Sequence, residues 1–126
     1  MLRPSDAAVL ADRQLRHEVT PAGGFMLLQI LDYPVGSGLL PERSTLLLQL
    51  PAGFPDATPD MFWFDPPLQR RDGTAIPGTE VRQQIAGRTW QRWSRHIQGQ
   101  WRPGVDNLGT YLAYVRRCLD QAGGRG

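Results

Sequence analysis

The chain has 126 residues, enough for one domain with a real core. Its 40% hydrophobic and 21% charged residues are ordinary for a globular protein, and no apolar run approaches the ~20 residues of a membrane helix. A net charge of +2 is too small to point to a nucleic-acid partner.

Ser5–Leu15 reads as a short helix after Pro4, with Ser5 or Asp6 able to cap it. Arg16–Thr20 is a candidate first strand, and Pro21-Ala22-Gly23-Gly24 a turn. Phe25–Tyr33 is a strand buried on much of both faces. Pro34-Val35-Gly36-Ser37-Gly38 breaks it. Ser44–Leu50 is the next strand, closed by Pro51, and Met61–Phe64 is a short aromatic strand stopped by Asp65-Pro66-Pro67. The short connections favour an antiparallel meander.

Leu68–Arg88 is rich in glycine, proline and polar residues and reads mostly as loop, with one short helical turn over Val81–Ile85. Asp106 or Asn107 caps a C-terminal helix whose apolar residues recur at Leu108, Tyr111, Leu112, Val115 and Leu119. Arg116 and Arg117 fall in its last turns, where cations suit the helix dipole. Residues 122–126 read as a frayed tail. The order of elements predicts an α+β fold: N-terminal helix, antiparallel meander, long loop, and a C-terminal helix packed on one sheet face.

One stretch concentrates the chemistry. Trp90–Trp101 holds three of the four tryptophans and one of the two histidines, without a helical or alternating apolar period. At least two of these tryptophans are expected to pack between sheet and last helix.

The layout resembles the ubiquitin-conjugating (UBC) superfamily, and most closely its divergent prokaryotic family E. The similarity is strongest over residues 33–119, within a single UBC-like domain spanning 1–126. It is carried by Tyr33-Pro34-Val35-Gly36-Ser37-Gly38-Leu39-Leu40-Pro41 and by the run from Leu48 to Trp63, with Phe54-Pro55 and Pro59. Trp93-Ser94-Arg95-His96 follows, then Trp101-Arg102-Pro103, which opens the supporting helix. The resemblance implies a long active-site loop before that helix. It implies two partners, a ubiquitin-like protein and the enzyme that activates it. It implies acyl transfer with no cofactor. The usual His-Pro-Asn signature and the catalytic cysteine after it are both absent here. The single cysteine, Cys118, lies inside the last helix near Tyr111, a place for a small buried hydrophobe.

Without that cysteine, Ser94 is the candidate nucleophile. A serine hydroxyl needs an adjacent base, and His96 is two residues away. In a strand the two side chains would share a face. Arg95 and backbone N–H groups are candidate oxyanion donors. The expected product is an oxyester with the C-terminus of a ubiquitin-like protein. Equally, Ser94 can be a loop hydroxyl and His96 a ring satisfied by a neighbour. Two alternatives stand beside acyl transfer. One is a non-catalytic adaptor that docks a ubiquitin-like protein or an activating enzyme. The other is nucleic-acid binding through Arg88, Arg92, Arg95 and Arg102, which the low net charge disfavours.

Asp65 and Asp106 can each hold an arginine or histidine, or serve a proline turn and a helix cap. His17 is alone, and with one other histidine in the chain no metal site is expected. All fourteen basic residues are arginine, so no ε-amine is available to attack an activated acyl group, though codon usage explains this as well. The first residues lack the apolar core of a signal peptide, and a cytoplasmic location is the expectation.

Overall fold

The computed structural model describes residues 2–124. Its centre is a pair of leucine-rich strands, β2 (Phe25–Pro34) and β4 (Arg43–Pro51), paired antiparallel from Phe25 opposite Pro51 to Pro34 opposite Arg43. The other elements are α1 (Pro4–Asp12), β1 (His17–Ala22), β3 (Leu39–Leu40), β5 (Phe62–Asp65), β6 (Gln69–Arg70), β7 (Arg82–Ile85), β8 (Arg88–Trp93) and α2 (Leu108–Ala122). Six strands form one sheet in the order β1-β2-β4-β5-β8-β7, every pair antiparallel. β3 and β6 make a separate two-stranded ladder. The mixed α+β architecture with a terminal helix at each end is the one expected.

Two tight hairpins set the registers. Gly23 and Gly24 have φ of 53° and 86°, and Ala86 and Gly87 have 53° and 79°. Two consecutive left-handed residues match the twist of an antiparallel pair. The second hairpin corrects the expectation for Val81–Ile85: this segment is strand β7, not a helical turn. The apolar period of a helix is absent there, and the turn at Ala86-Gly87 lacks the Asn-Gly or Asp-Gly spelling that marks most such hairpins. β1 runs two residues past the expected strand, through Pro21 and Ala22. It is an edge strand, where a missing N–H costs little.

One face of the sheet carries the main core. Leu28, Ile30, Leu46, Leu48, Leu50, Phe62, Phe64 and Trp93 meet Leu10 of α1 and Leu108, Tyr111, Leu112, Val115 and Leu119 of α2. Each such aliphatic side chain contributes about 1.5–3 kcal/mol on burial. The stripe predicted for α2 is therefore the buried one. The opposite face carries a smaller cluster of Leu27, Leu47, Trp63 and Trp90. The Arg88 guanidinium lies 4.5 Å from the Trp90 ring centroid and donates to Asp65 at 2.6 Å, covering part of this cluster.

The cap of α2 is one of its two expected candidates, and the cap of α1 differs from expectation. Asn107, not Asp106, caps α2: its side chain accepts from the Thr110 N–H, and the Thr110 hydroxyl accepts from the Asn107 N–H. Asp106 instead accepts from the Arg102 N–H at 2.7 Å and closes the turn before the helix. In α1 neither Ser5 nor Asp6 is the cap; Arg3 occupies that position without a side-chain capping bond. Asp6 is 1% exposed and reaches the Leu108 N–H at 3.4 Å, tying α1 to the start of α2. α2 runs to Ala122, so Arg116 and Arg117 lie before its last turn. The Arg116 guanidinium serves the end of β2, donating to the Pro34 carbonyl at 2.9 Å and to the Val35 carbonyl. Gly123 follows the helix as its cap, against the backbone of Gly38. The expected frayed tail is thus corrected at Ala122, which is buried in α2, and at Gly124, whose N–H donates to the Gln121 carbonyl at 3.1 Å; Arg125 and Gly126 lie outside the described residues.

The stretch between β5 and β8 is less of a free loop than its composition suggests. It contains β6 and β7, and between them Ile76 and Thr79 are buried. The Thr79 hydroxyl donates to the Ile76 carbonyl at 2.8 Å. No helix among the described residues is long and apolar enough to cross a membrane.

Candidate functional site

The Trp90–Trp101 stretch splits in two. Its first four residues finish strand β8, which explains the missing period. Trp90 packs on one face of the sheet and Trp93 on the other. A strand buried on both sides at its end shows no alternation. Trp93 is 0% exposed, stacks on Phe62 at 5.6 Å and donates its indole N–H to the Gln91 carboxamide at 2.9 Å. Gln91 also bridges the Leu68 N–H and C=O, at 2.8 and 3.0 Å. Trp101 packs edge-on to Tyr111 and donates to the Pro55 carbonyl at 2.8 Å. Trp93 and Trp101 thus both belong to the main core, Trp93 from the sheet and Trp101 against the last helix.

Directly after Trp93 the strand ends. The Arg95 N–H turns back to the Trp93 carbonyl at 2.9 Å, and the Ser94 N–H donates to the Gly78 carbonyl at 2.9 Å. Ser94 and His96 are therefore not i and i+2 of a strand, and the shared-face expectation does not apply to them. No hydrogen bond joins them among the described residues. Ser94 is half-buried and His96 exposed.

Arg95 folds inward over the turn. Its guanidinium carbon lies 5.2 Å from the Trp93 ring centroid, and it donates to the Ser94 carbonyl at 3.3 Å. Gly78, at φ +80°, makes room for it: a Cβ there would sit 2.6 Å from an Arg95 terminal nitrogen. In this geometry Arg95 clamps the turn through its own backbone.

His96 has a partner that the sequence did not single out. Its Nδ1 lies 2.7 Å from Asp60 Oδ1. Asp60 stands between buried Pro59 and the start of β5. Nothing in the spacing links positions 36 residues apart, and a lone Pro-Asp before a strand reads as a turn. Only the antiparallel pairing of β5 with β8, Phe62 opposite Trp93, brings the two loop ends together.

Cys118 and Tyr114 are neighbours on α2. Burial pushes the Cys118 thiol up from its ordinary range, although the Tyr114 hydroxyl and the arginines Arg95 and Arg117 work in the other direction. Burial likewise pushes Tyr114 up to about 12. The thiol is 6% exposed as a residue and belongs to the main core. A low-pKa, accessible nucleophile has the opposite surroundings.

A cleft of about 220 Å³ opens past His96, between Ile97 and Gln100 on one side and Arg102, Thr110 and Arg117 on the other. Two larger depressions, about 460 and 370 Å³, are lined around Gly38 and Gly123 and share no residue with the turn.

The remaining candidates have structural partners. Asp65 holds Arg88, and Asp106 holds Arg102. Arg88, Arg92, Arg95 and Arg102 do not form one surface with exposed tryptophans, because Trp63, Trp90 and Trp93 are each 2% exposed or less. Base stacking needs an open ring face.

No curated protein and no solved structure matches this chain. The family model of prokaryotic E2 family E matches residues 2–122, which takes in both helices, the whole sheet and the Trp93–His96 turn. The chain belongs to prokaryotic E2 family E, a divergent branch of the ubiquitin-like conjugation proteins.

Proposed function

We propose that this family member receives the C-terminal acyl group of a ubiquitin-like protein from an activating enzyme, at the turn after β8, on oxygen rather than sulfur. The observation that carries this reading is the turn after β8, where a half-buried hydroxyl and an exposed imidazole stand two residues apart, while the thiol of Cys118 is buried on α2. Ser94 Oγ attacks the carbonyl carbon of the incoming thioester. A C–O bond forms and the C–S bond breaks. The hydroxyl proton passes to His96 and then to the departing thiolate. An acceptor amine later attacks the oxyester, and Ser94 regains its proton. The Ser94 and Arg95 N–H groups are already bonded to Gly78 and Trp93, so the oxyanion contacts fall to backbone N–H groups beyond them, with Arg95 shaping the turn.

A second reading is an adaptor that docks the ubiquitin-like protein or the activating enzyme without covalent transfer. The absence of a Ser94–His96 hydrogen bond favours it. Incubation with activating enzyme, ubiquitin-like protein and ATP separates the two. Transfer gives an adduct that survives thiol, is cleaved by hydroxide and disappears in Ser94→Ala. Binding with no adduct selects the adaptor, and an undiminished adduct on Ser94→Ala rejects the serine ester.

A further inference from the structure

We infer that Asp60 is a positioning residue for His96, holding the ring in the Nδ1–H form so that Nε2 is free to take and return the proton. This rests on the reading of His96 as the base.

The contact is 2.7 Å, from Nδ1 to a carboxylate oxygen. Both side chains are about half exposed, at 51% and 53%. An ordinary exposed pair of this kind contributes little, because two mobile side chains must be held together. Here the backbone on each side is already held. Pro59 is buried before Asp60, and the Met61 carbonyl after it accepts from the Tyr111 hydroxyl at 3.3 Å. On the other strand, the Ser94 N–H is bonded to Gly78 and the Arg95 N–H to Trp93, while Ile97 is buried just past the ring. Both ends of the pair are presented from anchored chain, so the contact orients the ring at small entropic cost.

A tie between two loops could use either ring nitrogen. Use of Nδ1 has a chemical consequence. A neutral imidazole carries one N–H. A carboxylate at Nδ1 keeps the hydrogen there, and Nε2 becomes the lone-pair acceptor. Free histidine favours the opposite form, with the hydrogen on Nε2. When Nε2 takes the nucleophile's proton, the imidazolium formed lies against the Asp60 carboxylate, which stabilises it without itself becoming protonated.

The test is ring-nitrogen NMR on the full chain at about pH 8, above the ordinary histidine range near 6.5. His17→Gln removes the only other histidine signal. The wild type should show His96 mainly as Nδ1–H, and Asp60→Ala should move it mainly to Nε2–H. In parallel, Asp60→Ala should slow adduct formation by about 10-fold or more in the wild-type background and should cause no further loss when added to His96→Gln. Asp60→Glu should recover part of both. A wild-type ring in the Nε2–H form overturns the inference, as does an Asp60→Ala protein with tautomer and rate unchanged. If Asp60→Ala switches the tautomer while His96→Gln forms adduct at the wild-type rate, Asp60 positions the ring and it is the base reading of His96 that fails.

Discussion

Trp93 and Gln91, two residues apart on β8, share a buried hydrogen bond of 2.9 Å, and the same carboxamide grips the backbone of Leu68 through its N–H and its C=O. One side chain thus satisfies the strand that ends at the candidate site and the segment leaving β5. Replacing Gln91 with Leu keeps the bulk but leaves the Trp93 indole N–H and both Leu68 backbone groups without it. Each buried group left unpaired costs about 1–3 kcal/mol, so with three such groups the variant should lose about 3–9 kcal/mol of stability. The urea midpoint measures this, and a loss under about 0.5 kcal/mol would mean that water replaces the carboxamide.

Much of this was legible in the sequence. The leucine-rich strands and the aromatic strand are continuous apolar runs and α2 has a clear helical stripe, and the structure buries most of those residues. The β7–β8 hairpin was not legible. Arg82-Gln83-Gln84-Ile85 has no apolar alternation, because this edge strand leaves Arg82 and Gln84 exposed. The Trp93–His96 turn was readable as a place but not as a geometry. The His96–Asp60 contact depends on strand pairing across 36 residues, which no local rule reports.

Gly78 is required for its backbone more than for its space. Its φ of +80° is costly for any residue with a Cβ, and the Arg95 terminus that would meet that Cβ can swing away. Gly78→Ala should therefore cost about 1–2 kcal/mol by thermal or urea denaturation, and an Arg95→Ala background should not recover it. Full recovery there would show that the clash, not the backbone, was limiting.

Stability should fall in alkali. Burial raises the pKa of Cys118, Tyr33, Tyr111 and Tyr114, so the folded chain binds these protons more tightly than the unfolded one. That stabilisation is complete below the ordinary values, 9.0 for the thiol and 10.0 for the phenols, and is lost as pH rises through them toward the folded values. Denaturant midpoints should hold to about pH 8.5 and then decline, first through the thiol and then more steeply through the phenols. Cys118→Ala should remove the earliest part. A midpoint constant to about pH 11 would contradict the burial of these groups.

The thiol should also be slow to react. In the folded chain Cys118 should be alkylated at neutral pH at least about 10-fold more slowly than in urea, since thiolate and access are both suppressed. Equal rates would place the sulfur at the surface.

The most direct measurement of where the acyl group resides is the mass-spectrometric mapping of the attachment residue, in wild type and in Cys118→Ala, after reaction with activating enzyme, ubiquitin-like protein and ATP. The account predicts an ester on Ser94 that Cys118→Ala leaves at the wild-type level. Attachment through Cys118, or no adduct on the wild-type chain, would contradict it.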